Sequence, residues 1–162
     1  MSVGVMRRVE LRGDAAARGR AHGAALAPAI RAYTEERVSL ASDGSWAGRP
    51  VRRADIVGLA EQMLADHRAY APELFAEMLA MAEAAGISAA EAVIVGGFTD
   101  FVDAVRALAQ VAAPEEDDCT AALVPRGRGG PWFAQTWDMH DSATEHVVML
   151  DVQPADGPAA LV

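Results

Sequence analysis

The chain has 162 residues, of which 52% are apolar, and this composition suits one ordinary domain with a buried core rather than a disordered chain. A net charge of −9 argues against a nucleic-acid-binding protein. No apolar run is as long as a membrane span, and the basic pair near the N-terminus is not followed by the apolar core of a secretory signal. We therefore expect neither nucleic acid nor a membrane among its partners.

All 14 basic residues are arginine, and the chain contains no lysine. This excludes Schiff-base chemistry, a P-loop lysine and a Ser–Lys dyad within the chain. The single cysteine, Cys119, cannot form an internal disulfide, which predicts a protein of the reducing cytoplasm.

The first two-thirds of the chain show the patterns of helices. The segment "GDAAARGRAHGAALAPAIRAYTEERVSLA" has apolar residues at helical spacing and Asp14 as its N-cap, and we expect Pro28 to kink it. The cluster "SDGSWAGRP" predicts a turn over residues 42–50. A second helix is predicted to begin near Asp55.

Three further helices follow before residue 112. In "YAPELFAEMLAMAEAAG", Pro72 suits the first turn of a helix and Gly86 its end. Leu74, Phe75, Met78 and Leu79 are predicted to form the apolar face of this helix. The capping box "SAAE" then predicts a short helix that breaks at the next Gly-Gly pair and restarts with Phe101, Val105 and Leu108 as its apolar stripe.

The pattern changes after the acidic segment "APEEDD". The segments "CTAALVP" and "WFAQTWD" are predicted strands joined by the glycine-rich connection "RGRGG", and "HVVMLDVQP" is a third strand. The final "AALV" reads as the start of a fourth strand. Since a sheet interrupted there would leave unpaired backbone, we expect a fragment of a longer protein or one piece of a two-chain assembly.

Cys119 lies where the helical pattern gives way to strands, and two roles are open to it. As an ordinary cysteine it would be a small hydrophobe at the start of a strand. As a nucleophile it needs a base nearby, and no cysteine–histidine pair stands out from the spacing. Cleavage of the Asp118–Cys119 bond would supply an α-amine beside the thiol, and such an amine titrates near ~7.7–8.

The sequence around this cysteine resembles a known family. "DDCTAALV" followed by "FAQTWDMH" is similar to the start of the mature chain in N-terminal-nucleophile (Ntn) hydrolases, in particular the acyl-coenzyme A:6-aminopenicillanic acid acyltransferase group of cysteine amidohydrolases. The matching positions are Cys119, Thr120, Gln135, Trp137 and Asp138. Upstream, "RGRAHGAAL", "APELFAEMLAMAEAAGIS" and "VIVGGFTDF" resemble further segments of the family in the expected order.

The resemblance implies an α+β chain in which a helical N-terminal region precedes the first strands of a four-layer αββα sandwich. Residues 1–118 would be the helical leader and prospective small subunit. Residues 119–162 would begin the sheet core, which is expected to continue beyond this chain. The remaining C-terminal portion, or a second chain of the same protein, would then be a partner.

The resemblance also implies self-cleavage at the junction of Asp118 and Cys119. The Cys119 thiolate would then attack an amide or thioester carbonyl of a small N-acyl substrate, and the acyl-enzyme would pass its acyl group to water or an amine. Asp138 would orient the nucleophile, and Thr120, Gln135 and Trp137 are candidates for the substrate pocket. No cofactor is implied, although a coenzyme A thioester is a co-substrate in the acyltransferase branch.

Other interpretations of these residues remain open. Taken alone, Asp138 has the position of an ordinary aspartate in a turn at the end of a strand. "WDMHDSATEH" contains four metal-ligating residue types, but their spacing matches no known ligand motif, so we expect no metal site. Gly19 and Gly23 favour close helix packing over phosphate binding, because no strand that would form a nucleotide loop precedes them. A non-catalytic relative that binds a partner through its sheet edge is the alternative function.

Overall fold

The computed structural model describes residues 6–112 and 119–162. One strand and five helices come first: β1 Arg8–Gly13, α1 Ala15–Asp43, α2 Arg53–Tyr70, α3 Pro72–Ala85, α4 Ala89–Gly96 and α5 Phe98–Ala109. Strands β2 Ala121–Gly127, β3 Gly130–Gln135, β4 Met149–Pro154 and β5 Ala160–Leu161 follow, with a 3₁₀ helix at Asp141–His146 between β3 and β4. The chain is thus α+β, as the sequence predicts.

The helix boundaries have the local causes that the sequence indicates. The Asp14 carboxylate accepts a hydrogen bond of 2.7 Å from the Ala17 N–H at the start of α1. The capping box of α4 is formed by Ser88 and Glu91. Gly86 ends α3 in the left-handed region, with φ of 77°, where a residue without Cβ is least strained. Helix α1 continues through Pro28 as one helix of 29 residues.

Helices α1 and α3 pack closely because α1 presents two glycines to α3. A Cβ on Gly19 would lie 2.9 Å from the Ala80 Cβ and would overlap the Glu77 carbonyl oxygen. A Cβ on Gly23 would overlap the carbonyl oxygen of Met81 in the same way. The G-x-x-x-G spacing therefore serves helix packing, as predicted.

The main hydrophobic core lies among the helices. Helices α1, α2, α4 and α5 and the turn after α1 contribute to it, and α5 supplies a buried stripe that includes Phe101, Val102 and Val105. Two apolar residues predicted for helix stripes are instead exposed, Leu74 by 65% and Leu108 by 50%. These residues have helical spacing, but no element in the described part of the chain buries either side chain.

Strand β1 was not predicted. Its charged side chains alternate with Val9 and Leu11, which are buried against Leu26 of α1. The strand pairs in parallel with β4, where Val9 lies opposite Leu150 and Leu11 opposite Val152. The N-terminal region is therefore not helical throughout, and it contributes a strand to the sheet formed by the C-terminal region.

The five strands form two separate sheets. The first has the order β1-β4-β5, and the second is the β2-β3 hairpin at the predicted position. In the hairpin Leu123 pairs with Phe133 and Val124 with Trp132, and all four side chains are exposed. Successive residues of a strand point to opposite faces, so both faces of the hairpin carry uncovered apolar side chains.

Within the described ranges, no single helix is both long enough and apolar enough to cross a membrane. Helices α3 and α4 reach the required length and apolarity only when taken together, and a bend of 110° separates them.

Candidate active site

Cys119 lies two residues before β2 and is exposed. Its Sγ accepts a hydrogen bond of 3.2 Å from the backbone N–H of Asp138, which follows the end of β3. The contact with Asp138 is made by its backbone. Among the described residues the Asp138 carboxylate forms no hydrogen bond or ion pair.

The hairpin geometry brings these two residues together. Beyond the last strand pair, Ala121 with Gln135, the ladder continues through Thr120 and Thr136. The Thr136 N–H donates to the Thr120 carbonyl over 2.9 Å, and the Thr120 N–H donates to the Thr136 Oγ1 over 2.9 Å. This double contact fixes the two strand ends and sets the thiol beside the following residues of the partner strand.

The thiol faces a cavity of about 280 Å³ between the strand ends and the helical layer. Trp137, Asp138 and Met139 form one wall, and Trp46 contributes from the turn between α1 and α2. The opposite wall is helix α5, through Thr99, Asp100, Val102, Asp103 and Arg106. The cavity therefore joins the predicted nucleophile to a helix that sequence analysis did not assign to the site.

Arg106 anchors the α5 wall. Its side chain is buried, its Nε donates to the Trp46 carbonyl over 2.9 Å, and its Nη1 contacts the Asp103 carboxylate over 2.9 Å. Asp100, Asp103 and Arg106 recur every three residues and so lie along one side of the helix. The spacing of these three polar residues was the sequence signal for this wall.

The cavity has a defined chemical character. Among the described residues, Asp100, Asp103 and Asp138 contribute carboxylates to the lining that includes Cys119, and Arg106 contributes a guanidinium. The part of the lining that the structure describes includes no histidine.

The structure places the predicted site residues in different surroundings. Cys119, Trp137 and Asp138 line the same cavity, whereas Thr120 and Gln135 are exposed on the hairpin and do not line it. Asp118 lies outside the described residues, and with it the proposed cleavage junction.

The polar residues after Asp138 do not converge on one point. The His140 Nδ1 lies 2.8 Å from the Ser142 Oγ and 3.8 Å from a Glu36 carboxylate oxygen. The His146 ring instead stacks on Tyr33, with ring centroids 4.8 Å apart. In the described ranges no group of three or more histidine, cysteine, aspartate or glutamate side chains is arranged to hold a metal ion.

Arg37 ties this segment to the helices. It is fully buried in α1, and its guanidinium lies over the rings of Tyr33 and Phe98, with 4.3 and 5.1 Å to the ring centroids. Its Nη2 donates to the Ser142 Oγ over 3.2 Å, while its Nε and Nη1 have no hydrogen-bond partner within the described part of the chain. Arg37 therefore holds the 3₁₀ helix, and with it the chain leaving the cavity, against α1.

No family model matches the chain. None of the curated proteins matches it significantly either.

Proposed function

We propose that this chain carries the nucleophile of a self-processing cysteine Ntn hydrolase, which cleaves or transfers an acyl group at an amide or thioester bond of a small N-acyl compound. The observation that supports this most directly is the position of the Cys119 Sγ. Cys119 lies two residues before strand β2 and lines a cavity, and its Sγ lies 3.2 Å from the Asp138 backbone nitrogen. A nucleophile requires access and a nearby base. The thiol is exposed, and cleavage of the preceding peptide bond would supply the α-amine of Cys119 as that base.

The first proposed step is self-cleavage. The Cys119 thiol attacks the carbonyl of the preceding residue, Asp118, and the peptide bond becomes a thioester as its nitrogen takes up the proton. Water then hydrolyses the thioester, which releases the Asp118 carboxylate and regenerates the thiol. Cys119 is left with a free α-amine, a group that accepts a proton near neutral pH. The residues upstream of the cut become the small subunit.

The second proposed step is acyl transfer. The α-amine of Cys119 takes the thiol proton, and the thiolate attacks the substrate carbonyl to form an acyl-enzyme thioester. The amine then returns the proton to the leaving group. Water or a second amine attacks the thioester and frees the enzyme. Asp138 would orient the new α-amine. Its carboxylate has no partner among the described residues, and it belongs to the residue whose backbone N–H contacts the sulfur.

The volume and lining of the cavity support the proposal that the substrate is small. Its volume of about 280 Å³ lies just below the range of about 300–1,000 Å³ for drug-sized ligands, and Trp46 and Trp137 give it aromatic walls. The reaction needs no cofactor, and a coenzyme A thioester is a co-substrate if the acyltransferase branch applies. A single unpaired cysteine fits a cytoplasmic location.

Intact-mass spectrometry of the purified chain tests the proposal. We expect two fragments that result from a break between Asp118 and Cys119, and we expect the Cys119→Ala variant to stay intact. The Ser88→Ala variant, which changes a distant helix cap, serves as the control and should be cut like the wild type. An intact wild-type chain whose cysteine does not react with iodoacetamide would overturn the proposal.

The uncovered hairpin favours a second candidate, a non-catalytic relative that binds a protein partner. Leu123, Trp132 and Phe133 are each exposed by more than 60%. The partner would be the remaining portion or a second chain of the same protein. An uncut chain that associates through this hairpin, and whose association is lost on Phe133→Ser, would select this candidate.

A further inference from the structure

A second cavity, of about 330 Å³, lies between α1 and the segment that leads into β4. Helix α1 lines it through Leu26, Ile30 and Tyr33, which recur every three or four residues and so lie on one side of the helix. Val148 lines it from the segment before β4. The cavity shares no lining residue with the cavity of Cys119, so a ligand bound in it would be independent of the proposed function.

Two side chains of opposite charge, Arg7 and Glu145, line this second cavity. Arg7 directly precedes β1, and Glu145 lies four residues before the first residue of β4. The two strands are parallel, and the Arg7 carbonyl accepts a hydrogen bond of 2.8 Å from the Met149 N–H at the start of β4. The parallel pairing therefore brings both charged residues to the same end of the sheet.

The two charges do not neutralise each other. The Arg7 Nη2 donates to the Ala25 carbonyl over 2.7 Å, which holds the guanidinium beside the helix that supplies the apolar lining. Among the described residues, neither Arg7 nor Glu145 forms an ion pair, and the Glu145 carboxylate accepts no hydrogen bond. Burial lowers the pKa of His22, a further lining residue, so its imidazole adds no charge at neutral pH. The lining thus offers one unpaired cation and one unpaired anion next to an apolar surface.

We propose that this second cavity binds a free amino acid with an aliphatic side chain. The ligand's carboxylate contacts Arg7, its ammonium group contacts Glu145, and its side chain lies against Leu26 and Ile30. A guanidinium is the preferred partner of a carboxylate, and an ammonium group donates only. A ligand with one charge would leave either Arg7 or Glu145 without a partner. An engineered apolar cavity of about 150 Å³ already holds benzene, so the volume here has room for an amino acid such as leucine.

Isothermal titration with L-leucine tests the proposal. Isocaproate, which lacks the ammonium group, and isoamylamine, which lacks the carboxylate, are the matched ligands. The wild type is expected to bind leucine about threefold more tightly than either analogue, the effect of one partly exposed ion pair. In Arg7→Gln the preference for leucine over isoamylamine is expected to vanish. In Glu145→Gln the preference for leucine over isocaproate is expected to vanish.

The matched controls are Arg128→Gln and Glu61→Gln, which change exposed residues of the β2-β3 connection and of α2. Both are expected to bind all three ligands as the wild type does. The proposal is overturned if the wild type does not bind leucine, or if it binds leucine no more tightly than one of the analogues. It is also overturned if Arg7→Gln and Glu145→Gln retain the wild-type preferences.

If a variant does not fold, intermolecular NOEs in the wild type decide. Contacts between the methyl groups of bound leucine and those of Leu26 and Ile30 support the site, and their absence rejects it.

Discussion

The backbone N–H of Asp138 donates a hydrogen bond of 3.2 Å to the Sγ of Cys119, 19 positions earlier in the chain. The antiparallel pairing of β2 and β3 produces this contact, since the Thr120–Thr136 hydrogen bonds extend the ladder by one step beyond the last strand pair. The backbone geometry thus positions the thiol, and the Asp138 side chain takes no part in this contact.

Replacing Asp138 by proline removes the N–H donor, and we expect alkylation of Cys119 by iodoacetamide to slow by about fivefold. The reacting form is the thiolate, and a donated hydrogen bond stabilises its charge by about 1 kcal/mol. Mass spectrometry measures the alkylation rate of Cys119 in the wild type and in each variant, compared in the same processed or unprocessed form. Asp138→Asn keeps the N–H and should not show this slowing; an equal slowing in both variants would contradict the backbone contact.

The α1–α3 contact predicts opposite effects for two glycine-to-alanine changes. Gly23→Ala should lower the free energy of unfolding by about 2 kcal/mol, because its Cβ would lie 2.8 Å from the Ala84 Cβ and overlap the Met81 carbonyl. Gly58→Ala in α2 should raise it by about 0.5–1 kcal/mol, since among the described residues no atom beyond its own stretch of helix lies within 4 Å of the added Cβ and alanine favours a helix. Urea unfolding measures both. Equal effects would show that helix propensity, and not packing, decides at position 23.

Much of this fold follows from local sequence signals. The cap of α1, the capping box at Ser88, the end of α3 at Gly86 and the β2-β3 hairpin all lie where their residues predict them. Each depends on a backbone conformation or hydrogen bond within a few positions. The alternating polar and apolar residues of "RVELRG" in β1 are also typical of a strand. This strand was missed because the sequence that follows it is dominated by helical patterns.

Only part of the candidate site could be predicted from the sequence, and the reason is physical. The hairpin register places Cys119 near Asp138, and that register follows from the turn between the strands. The wall formed by Asp100, Asp103 and Arg106 depends on where α5 lies relative to Cys119 and to the residues after β3, which is a tertiary relationship. Exposure of Leu74 and Leu108 has the same origin, since periodicity marks an apolar face without showing what covers it.

Arg37 gives a prediction about the cost of a buried charge. Arg37→Met should leave the free energy of unfolding unchanged or raise it, because the Nε and Nη1 groups are buried without partners among the described residues. Arg37→Ala should be less stable than Arg37→Met by about 2–5 kcal/mol, because it also leaves a void beneath the rings of Tyr33 and Phe98. Urea unfolding of both variants measures the difference. A loss in Arg37→Met as large as in Arg37→Ala would mean that the guanidinium stabilises the fold.

The ion pair between Arg8 and Asp151 links β1 to β4 and makes stability depend on pH. The hydrogen bond from Arg8, and a second one of 3.1 Å from Gln153, lower the pKa of Asp151. A carboxyl group with a lowered pKa stabilises the fold fully above its unfolded pKa, about 3.9, and loses this effect as the pH falls through the folded value. The difference in unfolding free energy between the wild type and Asp151→Asn should therefore be constant above about pH 5 and shrink below about pH 4.

Urea unfolding across this pH range measures that difference, and the Arg8→Gln background is the matched control. With the main cause of the lowered pKa removed, Asp151→Asn should change the pH dependence much less than it does beside Arg8. A pH-dependent difference of the same size in both backgrounds would mean that other groups, and not the β1-β4 ion pair, set the pKa of Asp151. If the pH-dependent difference disappears in the Arg8→Gln background, the ion pair between β1 and β4 determines the acid stability of the sheet. Strand β1 is the strand that the sequence pattern of the N-terminal region did not predict.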